Sequence, residues 1–268
     1  MNTQMAPRKI ALGILVVCIL ALVVGLFNAT RLELGNAKTD ASGEGKGVSA
    51  LLSNKEHIAL VDLSGMIVMN TEEKGLFESE SNAVMARKAL DAAAEDDSVK
   101  GVLLRINSPG GTVGMSQELN AAVKRASKKK PVVASLGDLA ASGGYYTACA
   151  ADKIVSNPGT LTASIGVIIS TMNLSELLNK KLGVQAVTIK SGKFKDVLSP
   201  YRAPRPDEMV LIQNLVNDSY QDFLNTVVEG RTRFMDNDAE KATRAAKIKA
   251  VADGRMLEQS HPTSEDHR

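Results

Sequence analysis

The stretch Val99-Lys100-Gly101-Val102-Leu103-Leu104-Arg105-Ile106-Asn107-Ser108-Pro109-Gly110-Gly111 decides the fold. Its first eight residues are an apolar run of the kind that forms a strand buried on both faces, as in a parallel sheet. The run stops at a dense turn signal. Pro fixes the entry, and the two Gly leave bare backbone N–H groups free to face a cavity. Such donors can hold a developing oxyanion, although the same residues also make an ordinary tight turn.

Upstream of this stretch, residues 82–95 carry Val84, Ala89, Leu90 and Ala93 on one helical face. Before them residues 57–63 read as a strand that turns at Ser64-Gly65. Downstream, a helix is predicted over 116–127 and a strand over 131–136. Residues 140–151 read as a loop feeding a small-residue helix. Short strands follow at 153–156 and 167–171, then a helix at 174–181, a strand at 184–190 and a long amphipathic helix over 207–231. Strands alternating with helices predict an α/β domain with parallel pairing and βαβ units.

At the N-terminal end, residues 10–27 hold no charge and no Pro. As a helix they reach about 27 Å, the thickness of a bilayer core. Arg8 and Lys9 within residues 1–9 form a short basic leader on the cytoplasmic side, and a single anchor of this kind leaves the bulk of the chain outside. A removable signal peptide is the competing reading, since Asn28-Ala29-Thr30 offers small residues, but the apolar run is longer than the usual signal core. Residues 28–54 are polar and read as a tether. Residues 55–255 form the predicted soluble domain, and 256–268 read as a polar, disordered tail.

Composition narrows the function classes. Aromatic residues are 3% with no Trp, which argues against a nucleic-acid reader built on stacking. The net charge of +2 balances 32 basic against 30 acidic residues and points to no polyanionic partner. Lys128-Lys129-Lys130 reads as an exposed turn. Cys18 and Cys149 cannot make a disulfide framework, and Cys18 lacks the small residue expected before a lipidated cysteine.

Two further motifs bear on chemistry. Ala141-Ser142-Gly143-Gly144-Tyr145-Tyr146 puts a Ser at the opening of a helix in an uncrowded setting, where it can serve as a nucleophile or simply as a helix cap. Lys190-Ser191-Gly192-Lys193-Phe194-Lys195-Asp196 is either a solvated basic loop or a source of an amine base. The three His, at 57, 261 and 267, all lie outside the motif-bearing stretch, so a Ser–His–Asp triad is poorly supported. A lysine acts as base only when neutral, which burial favours. No His or Cys cluster has metal-ligand spacing.

The order Asn-Ser-Pro-Gly-Gly at 107–111, Ala-Ala-Ser-Gly-Gly-Tyr-Tyr at 140–146, Thr-Ala-Ser-Ile-Gly-Val at 162–167 and Ser-Gly-Lys-Phe-Lys-Asp-x-x-Ser-Pro at 191–200 resembles the signal peptide peptidase A family. The resemblance covers about residues 58–255. It implies a Clp-protease/crotonase-like fold of repeated ββα units behind one transmembrane helix, and a membrane-anchored serine protease with no cofactor. It implies Ser142 as nucleophile and Lys195 as general base, with Lys193 the rival two residues away. Ser164 would orient the lysine. An oxyanion hole would combine the N–H of Gly143 with that of Gly110 or Gly111. The resemblance further implies a homo-oligomeric ring with sites shared between subunits, and apolar or small substrate residues in cleaved signal peptides left in the membrane.

One departure stands out. After Asp253-Gly254-Arg255 the family continues through a further helix and a Gly-Leu-Val-Asp-like segment, whereas this chain runs into Met256-Leu257-Glu258 and polar residues. A truncated C-terminal region that weakens assembly, leaving a catalytically silent membrane-tethered scaffold, is therefore the alternative reading. An acyl-CoA enzyme of the crotonase type is a third, against which the anchor and the Ser–Lys pair both count.

Overall fold

The computed structural model describes residues 55–258 apart from 70, 71, 75 and 76. The expected anchor at 10–27, the tether at 28–54 and the tail beyond 258 lie outside the described residues. Among the described residues no helix is long and apolar enough to cross a membrane.

A mixed sheet organises the domain. β1 (His57–Ile67), β4 (Val99–Gly111) and β5 (Val132–Ala141) run parallel and adjacent in that order. β2 (Glu72–Lys74) and β3 (Phe77–Ser79) form a separate antiparallel hairpin. Helix α1 (Asn82–Glu95) links β1 to β4, and α2 (Val113–Ser127) links β4 to β5. α1 starts where the Ser81 hydroxyl accepts the Val84 N–H, a side-chain cap. Beyond β5 come the short helix α3 (Gly143–Ala148), β6 (Lys153–Val155) and β7 (Leu161–Ala163). β6 pairs with the start of β5 and β7 with its end, both parallel. The long helix α4 (Pro206–Thr232) and α5 (Asp238–Val251) follow, and the described chain closes in β8 (Met256–Glu258), antiparallel to β7.

The core lies between this sheet and its helices. Leu63, Ile67, Leu104 and Ile106 from the strands meet Leu90, Leu119 and Val123 from α1 and α2, all fully buried. Clearing such side chains from water is the main driving force of the fold. α4 reaches the core through Phe223, Leu224 and Val227. It crosses closely at Gly230, where a Cβ would lie 2.1 Å from the Cys149 carbonyl oxygen.

Four expectations need correction. The run at 99–106 is half-buried, not buried on both faces: from Val102 onward burial alternates, and Leu103 is 37% exposed. Residues 167–171 and 184–190 form no strand. Their alternating side chains stand in solvent, with Ile168 87%, Val187 86% and Ile189 97% exposed, and among the described residues no neighbouring strand offers them a backbone partner. The helix expected at 174–181 is present, and its second part, Leu177–Lys181, is π-helical and buries no residue. Residues 256–258, read as part of a disordered tail, are a strand, because the open edge of β7 accepts them and Leu257 enters the core.

Candidate active site

β5 delivers Ser142 to the mouth of a cavity. The residue stands between the strand and α3 with φ 51° and ψ −122°, in the half of the backbone map that favours glycine. Holding a non-glycine residue there costs on the order of 1–3 kcal/mol and persists only where the surroundings enforce it. Two backbone hydrogen bonds enforce it here. Ser142 N–H donates to the Ala163 carbonyl at 2.9 Å, and the Ser142 carbonyl accepts from Tyr146 N–H at 2.8 Å. Ser142 occupies the cap position of α3, but its hydroxyl makes no capping hydrogen bond. The cap reading of this serine is therefore set aside.

The strain is clustered. Ala163 and Ser164 also have positive φ, at 64° and 51°. Ser164 N–H donates to the Arg255 carbonyl at 3.0 Å, so the entry to β8 holds the segment that in turn holds Ser142. Ser164 is half-buried and two residues from Gly166, which lines the cavity.

The glycine turn comes against Ser142 from the other side. Gly110 has φ 100°, and a Cβ there would lie 2.7 Å from the Gly143 nitrogen and 2.8 Å from the Ser142 Cβ. Only glycine permits that approach. Ser108, fully buried, ties the turn down. Its hydroxyl donates to the Gly65 carbonyl at 2.6 Å and accepts the Gly110 N–H at 3.1 Å. Gly111 lines the cavity together with Ser142 and Gly143, and its nitrogen lies 3.3 Å from where a Gly143 Cβ would be.

The cavity has a volume of about 130 Å³. Val113, Val167 and Phe223 supply apolar lining, and Tyr146 and Asp222 supply polar groups. The Tyr146 ring meets Phe223 edge-on at 5.1 Å between centroids. Burial pushes the Tyr146 hydroxyl up from its ordinary range. Cys149, on the turn after α3, is fully buried, and burial pushes its thiol up to about 12, so it offers no thiolate at neutral pH.

Sequence reasoning gathers Ser142, Gly110, Gly111 and Gly143, and the structure brings all four together. It does not bring Lys195 to them. Lys195 is exposed, its backbone N–H donates to the Gly192 carbonyl at 3.2 Å, and among the described residues no lysine lines the cavity. The three lysines of this loop differ, however. Lys190 is ion-paired with Asp196, and Lys193 with Asp207 at 2.5 Å. Among the described residues Lys195 has no such partner.

The loop itself is fastened to α4. Arg202 donates to Asp196 Oδ2 at 2.8 Å and to Glu208 Oε2 at 2.8 Å. Glu208 also accepts the Arg205 N–H at 2.9 Å in a capping box. Arg202 holds the Glu208 carboxyl down to about 2 and Asp196 well below the usual carboxylate range. Asp222 and Ser116 belong to the site but escaped the sequence reading. They sit on helices whose patterns give only the core face, and nothing local singles them out.

Known proteins are similar to this chain in sequence. The model of Peptidase family S49 matches residues 124–261. "Putative protease slr0021" of Synechocystis sp. is 40% identical over 205 residues, 76% of this chain and 66% of its own length. "Putative signal peptide peptidase SppA" of Enterococcus faecium is 40% identical over 208 residues, 77% of this chain and 57% of its own. "Serine protease SPPA, chloroplastic" of Arabidopsis thaliana is 32% identical over 219 residues, 80% of this chain and 30% of its own. The chain spans less than two thirds of the length of each of these relatives. The match over half the chain takes in the strained serine and the lysine loop together, and on it the chain belongs to Peptidase family S49.

Proposed function

We propose that the protein is a membrane-anchored serine endopeptidase that cuts peptides, remnants of signal peptides among them, through a Ser–Lys pair. The observation that carries this reading is Ser142 itself. A serine in strained backbone, with no capping bond, at a cavity edged by Gly111 and Gly143, has the form of a presented nucleophile. Membership of a peptidase family and the relatives' names support the reading, and the N-terminal apolar run supports the anchor, with the domain on the extracytoplasmic side.

The chemistry follows from these groups. Ser142 Oγ attacks a peptide carbonyl while a neutral amine takes its proton. The carbonyl oxygen, becoming an oxyanion, accepts hydrogen bonds from backbone N–H groups. Gly143 is one donor. Gly111 is the better second donor, because the Gly110 N–H is already engaged by Ser108. The same amine then protonates the leaving amine, and water later frees the acyl group.

Lys195 is assigned as the amine. Lys190 and Lys193 are each committed to a carboxylate, and among the described residues Lys195 is not. Ser164 is assigned to orient it. Lys195 stands outside the cavity of its own chain, so the reading requires it to come from a neighbouring copy in a homo-oligomeric ring. Exposed Val187, Ile189, Phe194 and Tyr201 around the loop, and Met209, Val210 and Leu215 on α4, supply an apolar surface of the kind that subunits cover. Burial between copies would also favour the neutral amine.

The same placement of Lys195 favours one other reading, a silent scaffold in which no base reaches Ser142. Reaction of the chain with a fluorophosphonate probe separates the two. Labelling mapped to Ser142 is expected from the peptidase; a folded protein that takes no label is the scaffold.

A further inference from the structure

The cavity beside Ser142 has a charged wall. Asp222, on α4, is the one carboxylate that lines it, and among the described residues no Lys, Arg or His is paired with it. Its surroundings hold it as an acceptor. Tyr146 Oη donates to Asp222 Oδ2 at 3.0 Å, and Gln117 Nε2 donates to the same oxygen at 3.1 Å. Thr226 Oγ1 donates to Tyr146 Oη at 3.2 Å, so the one hydroxyl hydrogen of Tyr146 is committed to Asp222. Phe223 fixes the Tyr146 ring from the side. Both donors serve Oδ2, and Oδ1 has no hydrogen-bond donor among the described residues.

Asp222 is exposed to solvent, and within one chain it is set in place by two donors with one oxygen left open and no cation beside it, so it can pair with a cation brought to the cavity mouth. The rest of the lining selects among cations. Val113, Val167 and Phe223 offer contact to an aliphatic stem, and the volume of about 130 Å³ is on the order of four waters. That is the scale of one unbranched side chain with a small head. Lysine has this form, an apolar stem ending in a compact ammonium.

We propose that Asp222 is a specificity-determining residue and that the cavity takes a lysine side chain of the peptide next to the scissile bond. The proposal rests on the peptidase reading of Ser142 and departs from the apolar or small side chains that the family resemblance implies. A site built to pair a polar group discriminates strongly against an analogue that lacks it, whereas an apolar pocket barely separates close isosteres. Norleucine, which has the stem of lysine without its ammonium, is the fitting comparison.

Two peptides differing only in lysine or norleucine on the acyl side of the cleaved bond are given to the full chain. A kcat/KM ratio of about ten or more in favour of lysine is expected. In Asp222→Asn that ratio falls about tenfold, and in Asp222→Lys it inverts for a glutamate peptide over the lysine peptide. A ratio of one or less in the parent chain, or a ratio that Asp222→Asn leaves unchanged, overturns the proposal while the peptidase reading stands. If Asp222→Asn fails to fold, Asp222→Glu, which keeps the charge, takes its place and retains the lysine preference. If neither peptide is cut, binding of the two to the Ser142→Ala chain by calorimetry decides. Tighter binding of the lysine peptide by about tenfold upholds the cavity assignment and removes only the peptidase reading. Equal binding removes the assignment.

Discussion

At Ser142 and Gly110 two residues meet under opposite requirements. The serine occupies backbone suited to glycine, and the glycine occupies backbone that no side chain could enter without striking the Gly143 nitrogen. Replacing Ser142 by Ala removes the hydroxyl and keeps the strain, so peptide cleavage and probe labelling are expected to vanish while circular dichroism stays unchanged. Gly110→Ala acts through the backbone instead. Positive φ and a 2.7 Å clash together should cost about 2–4 kcal/mol and displace the oxyanion donors. A loss of activity accompanied by a lower Tm checks this, and an alanine variant with full activity would show that the turn does not crowd Ser142. At this scale the sequence was readable because both motifs are made of residue types that few other contexts need. It could not reveal that the Ser142 hydroxyl goes unused as a cap, since a cap and a nucleophile have the same local signature.

The loop at 190–205 and the start of α4 behave as one element, joined through Arg202, Asp196 and Glu208. Glu208 is only 1% exposed, yet it sits among guanidinium groups that keep it ionised. Its folded value, about 2, lies below the ordinary 4.5, so its contribution is complete above about 4.5 and is lost as pH falls through about 2. Hydrogen exchange in this loop is therefore expected to be level from neutral pH down to about 4.5, once corrected for intrinsic rates, and to rise below it. Glu208→Gln should raise it above about pH 4.5, with the difference vanishing as pH falls through about 2. Lys195 rides on this element. Lys195→Met is expected to be inactive and Lys193→Met active, measured by peptide cleavage; the reverse result would move the base two residues upstream. Element prediction succeeded where a local period had a local partner, as in α1, α2 and α4. It failed at 167–171 and 184–190, where alternation was present but no pairing strand stands among the described residues. It also passed over α5, whose Ala- and Lys-rich turns bury only Ile248 and Val251. The Asn237 side chain, accepting from Ala239 and Glu240 N–H groups, was the signal that could have found that helix.

For the whole molecule, the separation of Lys195 from the cavity of its own chain makes a prediction about mixtures. Ser142→Ala and Lys195→Met chains, each inactive alone, should regain activity when unfolded and refolded together. A ring with one serine and one lysine at each junction would recover about a quarter of the parent rate from an equal mixture. No recovery would place both groups in one chain or remove the lysine from the reaction. The parallel pairing of β1, β4 and β5 and the glycine turn were legible in the sequence because they depend on contacts within one chain. The placement of Lys195 was not, because the loop that carries it is exposed and has no buried face whose period could position it. One consequence concerns durability. Since the backbone at 142 suits glycine, Ser142→Gly should melt higher than Ser142→Ala, by about 1 kcal/mol at the midpoint, while hydrolysing nothing. A selection that rewarded survival of heat alone would thus discard the hydroxyl, and only a screen that also demanded turnover would retain it.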